Sequence, residues 1–178
     1  MAEVKMEKYY QAYDKRYQQI HNLKLQWSSD VVTPILQELT VQFGIRKTDK
    51  ILEIGCGEGR DALWLLEQGY DVLATDVSKE AISYCKKKNS KFSHLFFQLD
   101  VCEERLPQTF KFIYSISVIH MLVNQEDRNR FLTFIRDHLD EDGYGLILTM
   151  GDGEYEVTGD ITSAFDSVKR THQGTGQE

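Results

Sequence analysis

The chain has 178 residues, a length that fits one domain able to bury about 70% of its unfolded surface. Its net charge is −7, from 21 basic and 28 acidic residues, which argues against a nucleic-acid partner because such binding usually needs a basic face. The basic run Lys86-Lys87-Lys88 ends a predicted helix, where lysines are typical of a solvated helix end.

The chain contains no apolar run of about 18 residues and no charged-then-apolar leader, which predicts a protein that neither spans a membrane nor is exported. Its three cysteines, Cys56, Cys85 and Cys102, are odd in number and lack C-x-x-C spacing, so neither a disulfide framework nor a zinc site is expected. The five histidines have no ligand-like spacing. We therefore expect a cytoplasmic protein that binds no metal.

The N-terminal part, residues 1–45, is predicted to be helical and rich in aromatic residues. Tyr10, Tyr13 and Tyr17 recur at helical spacing on one face, and Trp27 follows them. The simplest interpretation is that these aromatic rings pack as ordinary hydrophobic surface. A second helix is predicted over residues 31–43, with Ser29-Asp30 as its cap, Pro34 in its first turn and Gly44 at its end.

Residues 46–150 alternate between apolar strand patterns and amphipathic helix patterns. Strands are predicted at 50–55, 71–76, 94–99, 111–117 and 144–150, and helices at 60–68, 79–89 and 125–139. This order predicts an α/β fold with a Rossmann-like, doubly wound and mainly parallel sheet that has helices on both faces. The remaining residues, 151–178, are polar and hold few apolar side chains.

Three glycines at every second position, Gly55, Gly57 and Gly59, join the first strand to the first helix of this core. Such a turn lets a ligand lie against bare backbone and points the unpaired N–H groups of the helix at it. The dinucleotide fingerprint G-x-G-x-x-G would have its third glycine at position 60, where this chain has Arg60. Asp76 ends the second strand, where a carboxylate can accept both hydroxyls of a ribose. The turn therefore predicts a nucleoside site more than a pyrophosphate site.

The pattern Glu53-x-Gly55-x-Gly57-x-Gly59, followed by Asp76 and by Leu99-Asp100-Val101, resembles class I S-adenosylmethionine-dependent methyltransferases. The run from Gly55 to Val72 resembles above all the small-molecule branch that includes thiopurine and tellurite-type enzymes. The resemblance implies S-adenosylmethionine as cofactor and a small-molecule methyl acceptor.

The resemblance also implies roles for residues at the strand ends. The glycine turn, with Cys56 as a small packing residue inside it, would approach the methionine part of the cofactor, and Glu53 would orient the turn from beneath. Asp76 would hold the ribose. Residues at or just after the strand ends would contact the adenine and the rest of the cofactor: Val77, Asp100, Val101 and Ser117. Taken alone, Asp76 or Asp100 would be better explained as a structural loop residue, but two acids and a glycine turn, each at the expected strand end, are poorly explained in that way.

Family members that resemble this chain close an N-terminal aromatic segment over the site, which makes Tyr13, Tyr17 and Trp27 candidate lid residues. His120, just past the fourth strand, is the one histidine placed to act as a general base, although a purely structural role explains it more simply. The catalytic residues are otherwise unknown from sequence.

The family usually adds two strands after the fifth, and these are missing from the pattern here, so 151–178 is expected to belong to a truncated substrate region. Without them the strand 144–150 would be an uncharged edge, which predicts self-association or poor solubility.

Two alternatives to a methyltransferase stay open. One is an NAD(P)-dependent oxidoreductase, a class that has the same order of strand, glycine turn, helix and strand-end acid. The other is a non-catalytic cofactor-binding or interaction domain.

Overall fold

The computed structural model describes residues 8–149. Its strands are β1 (Lys50–Ile54), β2 (Asp71–Asp76), β3 (Phe96–Gln98), β4 (Phe110–Ile116) and β5 (Leu139–Leu148). Its α-helices are α1 (Tyr13–Asn22), α2 (Pro34–Gln42), α3 (Arg60–Glu67), α4 (Lys79–Lys88) and α5 (Gln125–His138). Short 3-10 helices cover Tyr9–Ala12, Ser90–Leu95 and Ile119–Met121.

The strands form one five-stranded sheet in the order β3-β2-β1-β4-β5, and every neighbouring pair is parallel. The chain order reverses between β1 and β4, which makes the carboxyl ends of these two strands the switch point where open α/β sheets bind ligands. The predicted Rossmann-like, doubly wound sheet is therefore confirmed.

Successive residues of β1 point to opposite faces of the sheet, and each face is covered by helices. Ile51 belongs to the core formed with α2, α3 and α4, whereas Leu52 belongs to the core formed with α5. Both side chains are fully buried. Strands covered on both faces read as continuous apolar runs, which is why the β1 pattern was recognisable in the sequence.

The predicted start of α2 is wrong. The helix begins at Pro34 with Thr33 as its N-cap residue, not after Ser29-Asp30. The residue before a proline is driven to extended backbone, and Thr33 has φ −63° and ψ 114°. Its backbone N–H and hydroxyl both donate to the buried Asp61 carboxylate, at 2.8 and 2.9 Å, which fixes this entry to the helix.

The predicted turn at Asp142-Gly143 is also replaced. Strand β5 starts at Leu139, opposite Phe110, and its register then shifts before Tyr144 pairs opposite Phe112. The extra residues form an irregularity within the strand, of the kind that bends a sheet edge. By contrast, the predicted Ser78 cap of α4 is confirmed, because its side chain accepts from the Ala81 N–H at 3.1 Å.

Candidate functional site

The glycine turn lies at the carboxyl end of β1 and leads directly into α3. Gly55, Gly57 and Gly59 have φ of 78°, 53° and 81°, all in the left-handed region that side chains disfavour. The N–H groups of Gly55 and Cys56 both donate to the Thr75 carbonyl at 2.8 Å, which ties the turn to β2. The backbone geometry therefore explains why glycine recurs at every second position.

The space over the first two glycines is filled by side chains of this chain. A β-carbon on Gly55 would lie 2.2 Å from Val118 Cγ2, and one on Gly57 would lie 2.7 Å from the Tyr17 hydroxyl. A β-carbon on Gly59 would instead meet Cys85 Sγ at 3.0 Å. The missing β-carbons of Gly55 and Gly57 thus let Val118 and Tyr17 lie directly against the backbone of the turn, while Gly59 permits close packing against α4.

Cys56 lies inside the turn and is buried in the core. A hydrogen bond with Cys85, together with burial, raises the pKa of the Cys56 thiol well above its usual range. A thiol that stays protonated is a poor nucleophile. The geometry therefore agrees with a packing role for this cysteine.

Asp76 ends β2 beside the turn and is buried. Its Oδ2 accepts from the Gly57 N–H and its Oδ1 from the Ser78 N–H, both at 2.8 Å. Burial raises the pKa of this carboxyl, while the two backbone hydrogen bonds oppose the rise. Each oxygen keeps a further acceptor site, so the carboxylate has a structural task and can still accept from a diol.

Asp100 follows β3 and already has partners from the N-terminal part of the chain. Its carboxylate accepts from the Tyr10 hydroxyl at 3.1 and 3.3 Å, from Gln11 Nε2 at 3.4 Å and from the Cys102 N–H at 3.0 Å. Val101 is buried beside it, and Val77 packs against the same core. The two acids of the sequence pattern therefore lie at the ends of the adjacent strands β2 and β3.

Glu53 lies beneath the turn on β1 and is paired in register with Tyr114 on β4. Burial, reinforced by the charge of Asp61, raises the pKa of Glu53 to about 8. Among the described residues, Glu53 Oε2 and the Tyr114 hydroxyl are buried without a hydrogen-bond partner of good geometry. Glu53 is therefore held in its neutral form at neutral pH, close to the switch point.

Ser117 and His120 occupy the loop that follows β4. Ser117 has a positive φ of 61°, and its N–H donates to the Leu148 carbonyl at 2.8 Å. This strained residue directs Val118 toward Gly55. His120 Nδ1 lies 3.2 Å from the Thr149 hydroxyl, so the histidine has a partner at the end of β5.

Residues 9–28, which we call the N-terminal cover, lie over the carboxyl ends of β2 and β3. The three candidate lid residues meet there: the Trp27 ring centre lies 6.1 Å from that of Tyr13 and 5.8 Å from that of Tyr17. Burial and the nearby Asp76 charge raise the pKa of Tyr17 well above its usual range. The cover thus brings aromatic rings to the glycine turn.

Glu58, in the turn itself, anchors the end of this cover and was not singled out from the sequence. Its carboxylate is buried and accepts from the N–H groups of Trp27 and Ser28, both at 2.9 Å. His21 Nε2 lies 3.1 Å from the same carboxylate, and His21 Nδ1 lies 3.0 Å from Glu80 on α4. An acid inside a glycine-rich turn is the sequence signal that could have indicated an anchor.

Arg60 takes the position of the third fingerprint glycine. Its guanidinium donates to Asp61 at 2.7 Å and to the Thr33 hydroxyl at 2.8 Å. The side chain therefore stabilises the junction of α2 and α3. The third fingerprint glycine lets the helix pack closely on the strand beneath a pyrophosphate, and an arginine at this position does not provide that.

Residues 51–143 match the methyltransferase domain family over more than half of the chain. The chain belongs to this family. In the described part of this methyltransferase domain, no group of three or more His, Cys, Asp or Glu side chains is arranged to hold a metal ion. Within the same residues, none of the helices has the length and apolar character needed to cross a lipid bilayer.

Curated relatives of the domain include the probable S-adenosyl-L-methionine-dependent methyltransferase TehB of Haemophilus influenzae, 30% identical over 103 residues. That alignment covers 56% of this chain and 35% of the relative. A putative methyltransferase of Geobacillus is 30% identical over 118 residues, which are 64% of this chain and 47% of the relative. The chain thus spans a third to a half of the length of these relatives.

Solved structures show the same fold. A TehB-like S-adenosylmethionine-dependent methyltransferase from Corynebacterium glutamicum superposes with a TM-score of 0.55 at 24% identity, covering 80% of this chain and 76% of that one. The glycopeptide N-methyltransferase MtfA, complexed with sinefungin, gives a TM-score of 0.59 at 23% identity, with 67% and 50% covered. The methyltransferase domain therefore has the Rossmann-like architecture of these enzymes.

Proposed function

We propose that this domain binds S-adenosylmethionine and transfers its methyl group to a small molecule. The observation that carries the proposal is the buried Asp76 carboxylate, which is hydrogen-bonded to the backbone of the glycine turn at the switch point of the sheet. A nucleoside that lies on Gly55 and Gly57 would meet this acid at the end of the next strand. TehB, a probable S-adenosyl-L-methionine-dependent methyltransferase, and MtfA, a glycopeptide N-methyltransferase complexed with sinefungin, support the same chemistry by similarity.

The residues present fit such a cofactor in chemistry. Asp76 has unused acceptor sites for a ribose diol, and Asp100 can accept from an adenine amino group once it exchanges its contact with Tyr10. The bare backbone of Gly55 and Gly57 suits the methionine part. The remaining members of the proposed cofactor set are Glu53, Cys56, Gly59, Val77, Val101 and Ser117.

The cover supplies a second part of the proposal. When bound, the cofactor supplies a methyl group on a cationic sulfonium, and aromatic faces attract such cations. Tyr13, Tyr17 and Trp27 are the residues we assign to this role, with 1–45 as the lid segment and 46–150 as the cofactor-binding core. Closing the site excludes water and aligns the reactants, and for an in-line displacement from a good leaving group alignment provides much of the rate.

The acceptor is proposed to be a small molecule because the chain is acidic, with a net charge of −7, which disfavours nucleic acid. A soft nucleophile such as sulfur would need no general base, and for an oxygen or nitrogen acceptor His120 is the candidate base. We place the protein in the cytoplasm because its three cysteines are free thiols, as is typical of a reducing compartment. The 151–178 tail, proposed to belong to the substrate region, lies outside the described residues.

Isothermal titration with S-adenosylhomocysteine and, in parallel, with NADH tests the cofactor assignment. We expect saturable binding and thermal stabilisation with S-adenosylhomocysteine and neither effect with NADH. Preferential binding of NADH would favour the oxidoreductase alternative. A folded protein, checked by circular dichroism, that shows no heat with either ligand at millimolar concentration would overturn the proposal.

A further inference from the structure

The N-terminal cover and the proposed cofactor compete for the same surfaces. The Tyr17 hydroxyl lies against the bare backbone of Gly57, and the Tyr10 hydroxyl donates a hydrogen bond to the Asp100 carboxylate. Asp14, from α1, accepts from the Ser78 hydroxyl at 2.8 Å and so binds at the start of α4. A ligand that lies on the glycine turn and reaches Asp100 must therefore displace the cover from this position.

His21 holds the cover in place through two carboxylates at once. Its Nδ1 lies 3.0 Å from Glu80 Oε1, and its Nε2 lies 3.1 Å from Glu58 Oε1. Ionised carboxylates only accept hydrogen bonds, so both ring nitrogens must carry hydrogen for both contacts to form. A neutral imidazole has only one such hydrogen. If a carboxyl group were protonated instead, the closed arrangement would still hold one more proton than the neutral histidine and two ionised acids.

The ring of His21 lies among residues of α1, of α4 and of the glycine turn. The ring stacks on Tyr84 of α4 with ring centres 4.3 Å apart and lies 5.9 Å from that of Tyr17. It also lies in the last turn of α1, where the helix dipole stabilises positive charge. The facing groups are thus the two acids, Glu58 from the turn and Glu80 from α4, together with two tyrosines; the Lys88 ammonium lies on the Tyr84 ring, 5.5 Å from its centre.

We propose that the Glu58–His21–Glu80 bridge is a proton-dependent latch that keeps the N-terminal cover on the cofactor site. The closed bridge carries one more proton than an open form with a neutral imidazole and two ionised carboxylates, so opening to that form releases a proton. Closure is therefore favoured at low pH and weakened as pH rises. The latch rests on the proposed function, and it is expected to make the site more accessible to S-adenosylmethionine as pH rises.

Two substitutions at the latch should act in opposite directions. In Glu80→Gln, the amide can donate to the neutral imidazole, so the cover stays closed without a proton and S-adenosylhomocysteine should bind weakly even at pH 8. In His21→Ala, the bridge is gone, and binding should be tight at all pH values. His94→Gln, which changes an exposed histidine outside the site, is the matched control and should behave as wild type.

Titration of S-adenosylhomocysteine between pH 5.5 and 8.5 gives the first readout. For wild type we expect Kd to fall as pH rises, by up to about tenfold per pH unit where one proton is released for each opening. The dependence should be absent in both latch variants, whose folding is checked by circular dichroism. Wild-type binding that is independent of pH, or that tightens as pH falls, would overturn the latch.

A second readout needs no ligand. The chain has two tryptophans, so Trp64→Phe leaves Trp27 as a fluorescent reporter of the cover. The backbone N–H of Trp27 donates to the Glu58 carboxylate of the latch. The Trp27 emission should change with pH in this background and lose that change when His21→Ala is added. A fluorescence transition without S-adenosylhomocysteine binding at any pH would support the latch and overturn the proposed function. Binding without any pH response of Trp27 would do the reverse.

Discussion

The Tyr17 hydroxyl lies 2.7 Å from the point that a β-carbon on Gly57 would occupy. The two residues are separated in sequence by the rest of α1, by α2 and by β1, yet the tyrosine lies against bare backbone that only glycine can present. The contact joins the N-terminal cover to the turn, so the site in this structure is covered by its own chain. It also makes Gly57 sensitive to the addition of one methyl group.

We expect Gly57→Ala to destabilise the fold more than Gly44→Ala does. Both glycines have positive φ, 53° and 61°, so both substitutions incur the left-handed backbone cost of about 1–2 kcal/mol. An added β-carbon on Gly44 meets nothing within 4 Å, whereas on Gly57 it meets Tyr17. Urea unfolding of the two variants measures the difference. The additional loss of unfolding free energy in Gly57→Ala should disappear when this change is made in a Tyr17→Phe background. If the additional loss stays unchanged, the steric clash is not with the Tyr17 hydroxyl.

Asp76→Asn should weaken S-adenosylhomocysteine binding by about 1.5–3 kcal/mol, the range for hydrogen bonds to a charged group. Asp71→Asn, at the exposed opposite end of β2, is the control and should leave Kd unchanged. Analogues that lack the ribose hydroxyls should be indifferent to the Asp76 change. Because Asp76 also accepts from the Gly57 and Ser78 N–H groups, equal losses for both ligands would show that its role is purely structural.

The strands, the glycine turn and the acids at strand ends were predictable because each is encoded locally. Apolar runs specify buried strands, and the spacing from Gly55 to Asp76 fixes the acid at the end of the neighbouring strand. The contacts of the cover were not predictable, since Tyr10 and Asp100 are 90 positions apart and nothing periodic connects them. The same is true of His21, whose partners come from the turn and from α4.

The sequence predicts the wrong start for a helix or strand where a long-range contact decides it. Ser29-Asp30 has the composition of a cap, but Asp61 on α3 selects Thr33 instead. Similarly, Asp142-Gly143 has the composition of a turn, but pairing of Leu139 opposite Phe110 extends β5 and converts the turn into an irregularity within the strand.

Glu53→Gln should remove a pH dependence of stability. Because the pKa of Glu53 is raised from an ordinary 4.5 to about 8, the folded state keeps a proton in this range that the unfolded state has released. The free energy of unfolding contributed by this group is therefore full below about pH 4.5 and declines as pH rises toward 8. The neutral amide has no such decline.

The expected outcome is a variant that gains about 1–3 kcal/mol over wild type on going from pH 5 to pH 8, measured by urea unfolding at both values. Glu67→Gln, which changes an exposed acid on α3, is the control for net charge. Parallel pH profiles for wild type and Glu53→Gln would mean that the buried carboxyl ionises freely in the folded protein.

The last prediction concerns self-association through the edge of β5. In the described part of the chain, β5 has a neighbour only on its β4 side, and two of its large apolar side chains, Tyr144 and Ile147, are more than a third exposed. The strand is longer than predicted, and its first half carries Asp140, Glu141 and Asp142 next to the register shift. Charged residues and irregular backbone oppose the pairing of an edge strand with another chain. The part of β5 available for such pairing is therefore its second half, 144–148.

We therefore expect concentration-dependent association of the wild-type chain in sedimentation velocity, with Ile147→Lys shifting it toward monomer. A lysine on an edge strand opposes pairing with another copy because it cannot be desolvated cheaply there. Leu132→Lys, on the exposed side of α5, makes the same change of net charge away from the edge and should leave association unaltered. A wild-type protein that remains monomeric at high concentration, or a Leu132→Lys variant that dissociates equally well, would show that the 144–148 edge is not the contact.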